Sequence, residues 1–405
     1  MRFALLGEHP DGLHLARALV ATGRHELATY TGGTSGAEAL RQLGLRFRVI
    51  PDMEEVLADP SIAAVIVAGA LDERPVQLRR ALQSERHVLC VHPADQSPDI
   101  AYEAAMIQKD TGCALLPALS EALHPAITRL AEFVRAEGGP VGVLQLIEME
   151  RSTSHSSACT FEPEKHRFSL PGWDVLRALG GEVAEVSAIT AEEVWRPTEP
   201  LLLTGRFEQS GLFRSSFLPN PADASCRFGL IGAAGQAELS LPGGWAGAAR
   251  LSWARTSGDR GEEVWESWDP WGALIHEFEE VVLPTAERAG QGLLTWQTAV
   301  RSLELDDAAR RSVQCRRVSV LEYVEATEEV GFKGTMTLVG CALLWIIVLL
   351  LILSNWVYWL GWLIVPVLVF FLGLQLLRWI VPAPQSRQHK GSASKPDPTE
   401  GPANQ

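Results

Sequence analysis

The chain has 405 residues, and 35 Lys and Arg stand against 49 Asp and Glu, for a formal net charge of −14. Such acidity argues against nucleic acid as a partner, because binding there rests on neutralising phosphates. Six scattered cysteines with no CxxC pair and no metal-ligand spacing point to reduced, mostly buried thiols, without a disulfide framework or a metal site.

At the N-terminus, Met1-Arg2-Phe3-Ala4-Leu5-Leu6 is too short an apolar run for a secretory leader and meets Glu8 and Asp11 at once. The first 120 residues alternate β-rich runs with amphipathic stretches. They predict strands over 2–6, 26–31, 63–68, 88–91 and 114–117, and helices over 13–22, 53–57, 76–83 and 100–111. The run AAVIVA at 63–68 is apolar throughout, as a strand buried on both faces of a parallel sheet must be. The β-α-β rhythm predicts a doubly wound sheet.

From residue 142 onward the pattern is mostly strand: 143–150, 184–194, 212–217, 226–231, 236–241 and 249–253. Gly232-Ala233-Ala234-Gly235 lies between two alternating runs and reads as a hairpin turn. Helices are expected over 173–179, 270–280 and 296–314. The expected second domain, 121–325, is therefore α+β, an open and mainly antiparallel sheet whose face carries the helices.

From Gly334 to Leu377 no side chain is charged, and Lys333 and Arg378 flank the run. A helix needs roughly 20 apolar residues to cross a bilayer, so the length suits two spans, at about 335–353 and 357–377. Ser354-Asn355 breaks the run, and Trp356, Tyr358, Trp359 and Trp362 crowd the turn, where amphipathic rings favour the lipid boundary. Arg378, Arg387, Lys390 and Lys395 follow the second span, while the turn carries no charge. The positive-inside bias then predicts a transmembrane helical hairpin in a membrane-bound protein whose N-terminal domains and tail both lie in the cytoplasm. Residues 378–405, rich in Pro, Ser, Gly, Lys and Gln, read as a disordered tail of net charge +2, which leaves −16 on residues 1–333.

Several strings give the chain a family likeness. His87-Val88-Leu89-Cys90-Val91-His92-Pro93-Ala94 is similar to a "KHVLCEKPLA" segment. Glu54 through Pro60, leading into the apolar strand, matches "eelLadpeiDaV"; Leu123-His124-Pro125-Ala126-Ile127 is like the start of a linking helix. Asp174 through Glu182 is similar to "DlaRwLlGe", and Leu303 through Ser312 to a C-terminal helix. In this order the strings resemble the glucose-fructose oxidoreductase / inositol dehydrogenase (Gfo/Idh/MocA) family over about residues 1–320. The resemblance implies an α/β Rossmann domain over 1–120 that binds NAD or NADP, a second domain that closes over a sugar or cyclitol, and pairing between subunits through the open sheet. Carried over residue by residue, the cofactor contacts fall on Gly7, His9, Gly12, Thr31, Ala68, His92 and Pro93.

The departures bear on activity. The usual GxGxxG turn is Gly7-Glu8-His9-Pro10-Asp11-Gly12 here, with an imidazole where the middle glycine lets the backbone approach pyrophosphate. Asp11 adds a carboxylate beside a helix N-terminus that should welcome an anion. Thr31 stands where an acidic residue would hold the ribose. The lysine of the EKP triplet, which in active relatives moves a proton and orients the nicotinamide, is replaced by His92, the candidate catalytic residue. The substrate-facing histidine expected three residues before Asp174 is Pro171, which leaves His155 and His166 as substitutes.

Blander readings attach to the remaining residues. Gly7 and Gly12 suit a tight turn whether or not a nucleotide binds, and His124-Pro125 suits the start of the linking helix. Trp245, Trp253, Trp265, Trp268 and Trp271 form an aromatic-rich patch that could stack on a sugar ring or fill the core. Asp306-Asp307 and Glu277, Glu279 and Glu280 read as solvated helix faces, and no GxSxG, HExxH or Walker string is present. The expectation is a membrane-anchored oxidoreductase-like protein, catalytically degenerate, that serves as a binding module for a nucleotide, a sugar-like ligand or a partner. The alternative is an active NAD(P)-dependent oxidoreductase on a sugar or cyclitol with a rearranged site.

Overall fold

Pro-initiated helices and apolar strands set the framework of the computed structural model. It describes residues 1–321 except 137, 154–168, 193–194, 197–198, 220–224 and 284–293. The first half runs β1 (Arg2–Leu6), α1 (Pro10–Ala21), β2 (Glu26–Thr31), α2 (Thr34–Gln42), β3 (Arg48–Val49), α3 (Met53–Ala58) and β4 (Ala64–Val67). It continues through α4 (Arg74–Gln83), β5 (His87–Cys90), α5 (Pro98–Thr111), β6 (Leu115–Pro117) and α6 (Pro125–Arg135). The strands are parallel, in the order β3-β2-β1-β4-β5-β6. All four residues of β4 are buried, as its unbroken apolar run requires.

Helices α1, α4 and α5 begin three, two and two residues earlier than the apolar periodicity suggested. Each has proline in its first turn, where a missing N–H costs nothing and the ring fixes a helical φ. Their first-turn residues lack the apolar spacing of the turns that follow, so hydrophobic periodicity cannot detect them. Helix α2 and the two-residue β3 escaped the sequence reading for a related reason: Thr-Ser-Gly and Arg-Val carry no clear period.

The second half contains β7 (Leu144–Thr153), α7 (Trp173–Gly180), β8 (Val183–Thr190), β9 (Leu201–Phe207), β10 (Leu212–Pro219), β11 (Cys226–Gly232) and β12 (Gly235–Leu241). Then follow β13 (Ala249–Arg255), β14 (Arg260–Trp265), α8 (Pro270–Val282), α9 (Trp296–Cys315) and β15 (Ser319–Val320). These strands form a sheet in the order β14-β13-β12-β11-β7-β10-β9-β8-β15. It is antiparallel except for β7 and β10, which pair in parallel. β11 and β12 are the hairpin expected around 232–235. β9 and the charged edge strand β14 were missed.

One face of this sheet is apolar, with Ile147, Met149, Phe213, Phe217, Phe228, Leu230, Leu239 and Leu251 buried together. The other carries cross-strand pairs, among them Arg214–Glu148, Arg227–Glu150 and Arg250–Glu262. Such exposed pairs contribute little stability but keep the face wet.

Helix α8 does not lie on the second sheet. Its Leu274, Ile275 and Phe278 join the core around β1 and β4. Helix α9 serves both halves: Trp296, Ala299, Val300 and Leu303 pack in the first domain's core, and Leu305, Ala308, Ala309 and Val313 in the second's. Asp306 and Glu277 are not on solvated helix faces but buried. Asp306 is 2 % exposed and accepts hydrogen bonds from Leu170 N–H and Trp173 Nε1–H, and buried Glu277 accepts one from Leu294 N–H at 3.3 Å. Both lie on helix turns that face the core, where a carboxylate persists only if it is hydrogen-bonded. Asp307 keeps a solvated role, paired with Arg310 and Arg311.

No helix among the described residues is long and apolar enough to cross a membrane. The hairpin expected over 334–377 lies outside those residues, as do the tail, Cys159, Cys341, His155 and His166. Cys90, Cys113 and Cys226 are buried thiols, and Cys315 is exposed.

Candidate cofactor and substrate cleft

Strand order reverses between β1 and β4, and in such sheets the crevice for a ligand opens at the strands' carboxyl ends. Three loops meet there. Gly7 N–H donates to the Thr31 carbonyl (2.6 Å), His9 N–H to the Ala68 carbonyl (2.9 Å), and Val91 N–H to the Val67 carbonyl (2.9 Å). Gly7, His9, Gly12, Thr31, Ala68, His92 and Pro93 therefore share one edge of the first sheet.

The two glycines answer to packing. Gly7 has φ +100°, and a Cβ there would sit 2.2 Å from Gly69 N. A Cβ on Gly12 would meet the Ala68 Cβ at 2.3 Å. Close approach of the β1–α1 turn and of α1 to the chain just after β4 is enough to require both.

His9 caps α1: its Nδ1 accepts a hydrogen bond from Asp11 N–H at 3.3 Å. Burial, reinforced by the Arg74 guanidinium, lowers its pKa and favours the neutral ring, while Asp11 pulls weakly the other way. Glu8 reaches across to α2, where its Oε2 accepts from Ser35 Oγ (2.7 Å) and Gly36 N–H (3.1 Å). Thr31 Oγ donates to the Ile50 carbonyl at 2.8 Å.

Arg74 was invisible to sequence reasoning, because nothing in Glu73-Arg74-Pro75 distinguishes it from a solvated helix start. It is 1 % exposed, donates to the Gly69 carbonyl (2.9 Å) and the Pro93 carbonyl (2.7 Å), and so ties two loops of the crevice together. Its charge also acts on His92. Burial first and Arg74 second push the His92 imidazole down to about 3, and its buried Nδ1 has no hydrogen-bond partner. At neutral pH this ring is uncharged and does not serve as a general acid.

A second polar cluster gathers on the other domain. Arg151 on β7 makes a two-pronged ion pair with Glu121 at 2.7 and 2.8 Å, both side chains largely buried. Beside it, burial and the Glu121 charge push the Asp174 carboxyl up to about 7. Asp174 Oδ2 accepts from Ala122 N–H at 3.1 Å, while the buried Oδ1 has no partner. Fully buried His124 caps α6, its Nδ1 accepting from Ala126 N–H at 3.0 Å. That bond places the ring proton on Nε2, which has no partner, and burial lowers the pKa to about 4. Trp268 and Trp245 pack on this ring at 4.7 and 5.8 Å.

The tryptophans do not form one patch. Trp253 meets Phe133 and Trp271 stacks on His14, in different parts of the fold. Pro171, the counterpart of the expected substrate histidine, stands just ahead of α7. Among the described residues no group of three or more His, Cys, Asp or Glu is placed to hold a metal ion.

No family model matches the chain, and no curated protein matches it in sequence. Solved structures do. A putative NADPH-dependent oxidoreductase from Desulfitobacterium hafniense superposes with a TM-score of 0.66 at 18% identity, covering 79% of this chain and 97% of that one. The chain has the fold of a two-domain dehydrogenase. A putative myo-inositol dehydrogenase from Sinorhizobium meliloti gives 0.61 at 17% identity over 79% of this chain and 100% of that one. Levoglucosan dehydrogenase in complex with NADH and levoglucosan gives 0.65 at 15% identity, with 80% and 100% covered. These neighbours are dehydrogenases of the Gfo/Idh/MocA type.

Proposed function

We propose that this chain is a membrane-tethered, catalytically degenerate protein on the oxidoreductase fold that works as a binding module in the cytoplasm. The observation that carries the reading is His92. It occupies the proton-transfer position of the resemblance, yet burial and Arg74 hold its pKa near 3. General acid–base work needs a pKa near the working pH, and an imidazole four units below it is a poor base and no acid. Pro171 offers no proton either. What supports a binding role is a polar and aromatic cluster in the second domain, where Trp245 and Trp268 pack on buried His124 and the donors at His124 Nε2 and Trp245 Nε1 are left to a hydroxylated, sugar-like ligand.

The test is a dehydrogenase screen of the full-length chain over sugars and cyclitols, with NAD(H) and NADP(H). Turnover above the background without protein would end the reading; ligand binding without turnover supports it.

One observation favours a second reading, an active oxidoreductase with a rearranged site. The Asp174 carboxyl sits near 7, in the range a general base needs. On that reading Asp174→Asn abolishes turnover, and His92→Ala does not.

A further inference from the structure

We propose that the dinucleotide place in this fold is filled by the chain's own Glu8 and His9, so that the protein binds neither NAD nor NADP. Two helix N-termini line that place. In doubly wound folds the pyrophosphate lies on the N-terminus of the first helix, and the ribose, with its phosphate in NADP, lies at the end of the second strand. Each of these positions is engaged here by a side chain from the β1–α1 loop.

At α1 the anion would need backbone N–H groups. Pro10, the first helical residue, has none, and Asp11 N–H is committed to His9 Nδ1. Two residues on, past Gly12, the Leu13 N–H bonds the His9 carbonyl at 3.2 Å within the helix, so that the first turn offers an anion the Gly12 N–H and little else. His9 also puts a ring in the volume that a glycine would leave open. The Asp11 carboxylate lies 3.7 Å from the same Nδ1, adding negative charge where two phosphates would sit.

At α2 the substitution is more direct. The helix begins after Gly33, which contributes no capping side chain. Glu8 supplies the cap instead, taking both Ser35 Oγ–H and Gly36 N–H on one carboxylate oxygen. A 2′-phosphate would have to displace that carboxylate and then lie beside it. A bare ribose fares little better, because in place of a carboxylate that would accept from both of its hydroxyls stands the neutral Thr31 hydroxyl, its one proton given to the Ile50 carbonyl and only a single weak acceptor oxygen left. An anionic side chain at one helix terminus and a capping imidazole at the other thus stand in for the two ends of the cofactor. The inference rests on the fold and on these contacts, and it narrows the proposed binding role to ligands other than dinucleotides.

The experiment titrates the full-length chain in mild detergent with NADH and NADPH, following energy transfer from tryptophan and, separately, heat. The expected result is no saturable signal up to millimolar cofactor. The double variant Glu8→Ala/His9→Gly, checked for an unchanged circular dichroism spectrum, is expected to bind NADH at least tenfold more tightly than the wild type. If that variant does not fold, Glu8→Ala alone makes the test, since it clears α2 and should bring NADPH binding into range. Saturable binding by the wild type below about 100 μM would overturn the proposal, as would a loss of NADH affinity in Glu8→Ala, which would mean that Glu8 holds the ribose. A folded double variant with no gain also overturns it. NADH binding without turnover would sink this inference and leave the proposed function standing, whereas polyol oxidation would sink both.

Discussion

Asp306 accepts a hydrogen bond from the indole N–H of Trp173 at 2.8 Å, joining α9 to the first turn of α7 across the second domain. Burial pushes this carboxyl up to about 7, against the hydrogen bonds from Leu170, Trp173 and Ser169. A raised acid favours the folded state while protonated. Its contribution is therefore full below about pH 4, declines as the unfolded chain ionises first, and levels off above about pH 7. Asp306→Asn keeps an acceptor for Trp173 and removes this slope. Relative to wild type, the variant should gain roughly 2 kcal/mol on going from pH 5 to pH 8 in urea unfolding. An equal difference at both pH values would show that the carboxyl is not strained.

Glu121 and Arg151 are joined by two bonds in a largely buried setting. Removing one charge from such a pair strands the other, which typically costs about 3 kcal/mol or more. Glu121→Gln should destabilise the fold by that order and let the Asp174 carboxyl titrate lower, because the Glu121 charge is one of the forces raising it. A double-mutant cycle with Arg151→Met checks the coupling; strict additivity would refute it.

The glycine turn gives a graded series. Gly12→Ala forces a Cβ against Ala68 and should cost about 1–3 kcal/mol. Gly7→Ala adds positive φ to a backbone clash and should cost more, to the point of poor recovery of folded protein. Gly23 shares positive φ but has open space around its Cβ position. Gly23→Ala should therefore cost only about 1 kcal/mol. Thermal melts without any nucleotide order the three; a reversed order would mean the turn is shaped by something other than packing against the chain just after β4.

The tether has its own test. Deleting residues 334–377 is expected to move the protein from the membrane pellet to the soluble fraction, with the melting temperature of the remaining body unchanged. A full-length chain that is soluble without detergent would remove the membrane from the proposal.

Some of this was legible because it depends on periodicity alone. The AVIV run, the β-α-β alternation and the 232–235 hairpin each follow from local patterns, and the structure places them as a parallel sheet and an antiparallel hairpin. The departures from the resembled strings at His9, Thr31, His92 and Pro171 could also be read directly, since comparing residue types needs no coordinates.

Other features depend on partners distant in the chain. Arg74 and Asp306 look like ordinary helix polar residues until Gly69, Pro93, Leu170 and Trp173 are brought to them. Glu8 is an ordinary turn residue until α2 arrives 27 positions later, with Ser35, to be capped. The sequence by itself determined which residues stand where the resembled strings have others, because residue identity is local. Only the tertiary structure decided what the substitutes do, because burial and the direction of a hydrogen bond belong to pairs of residues and are not properties of either one alone.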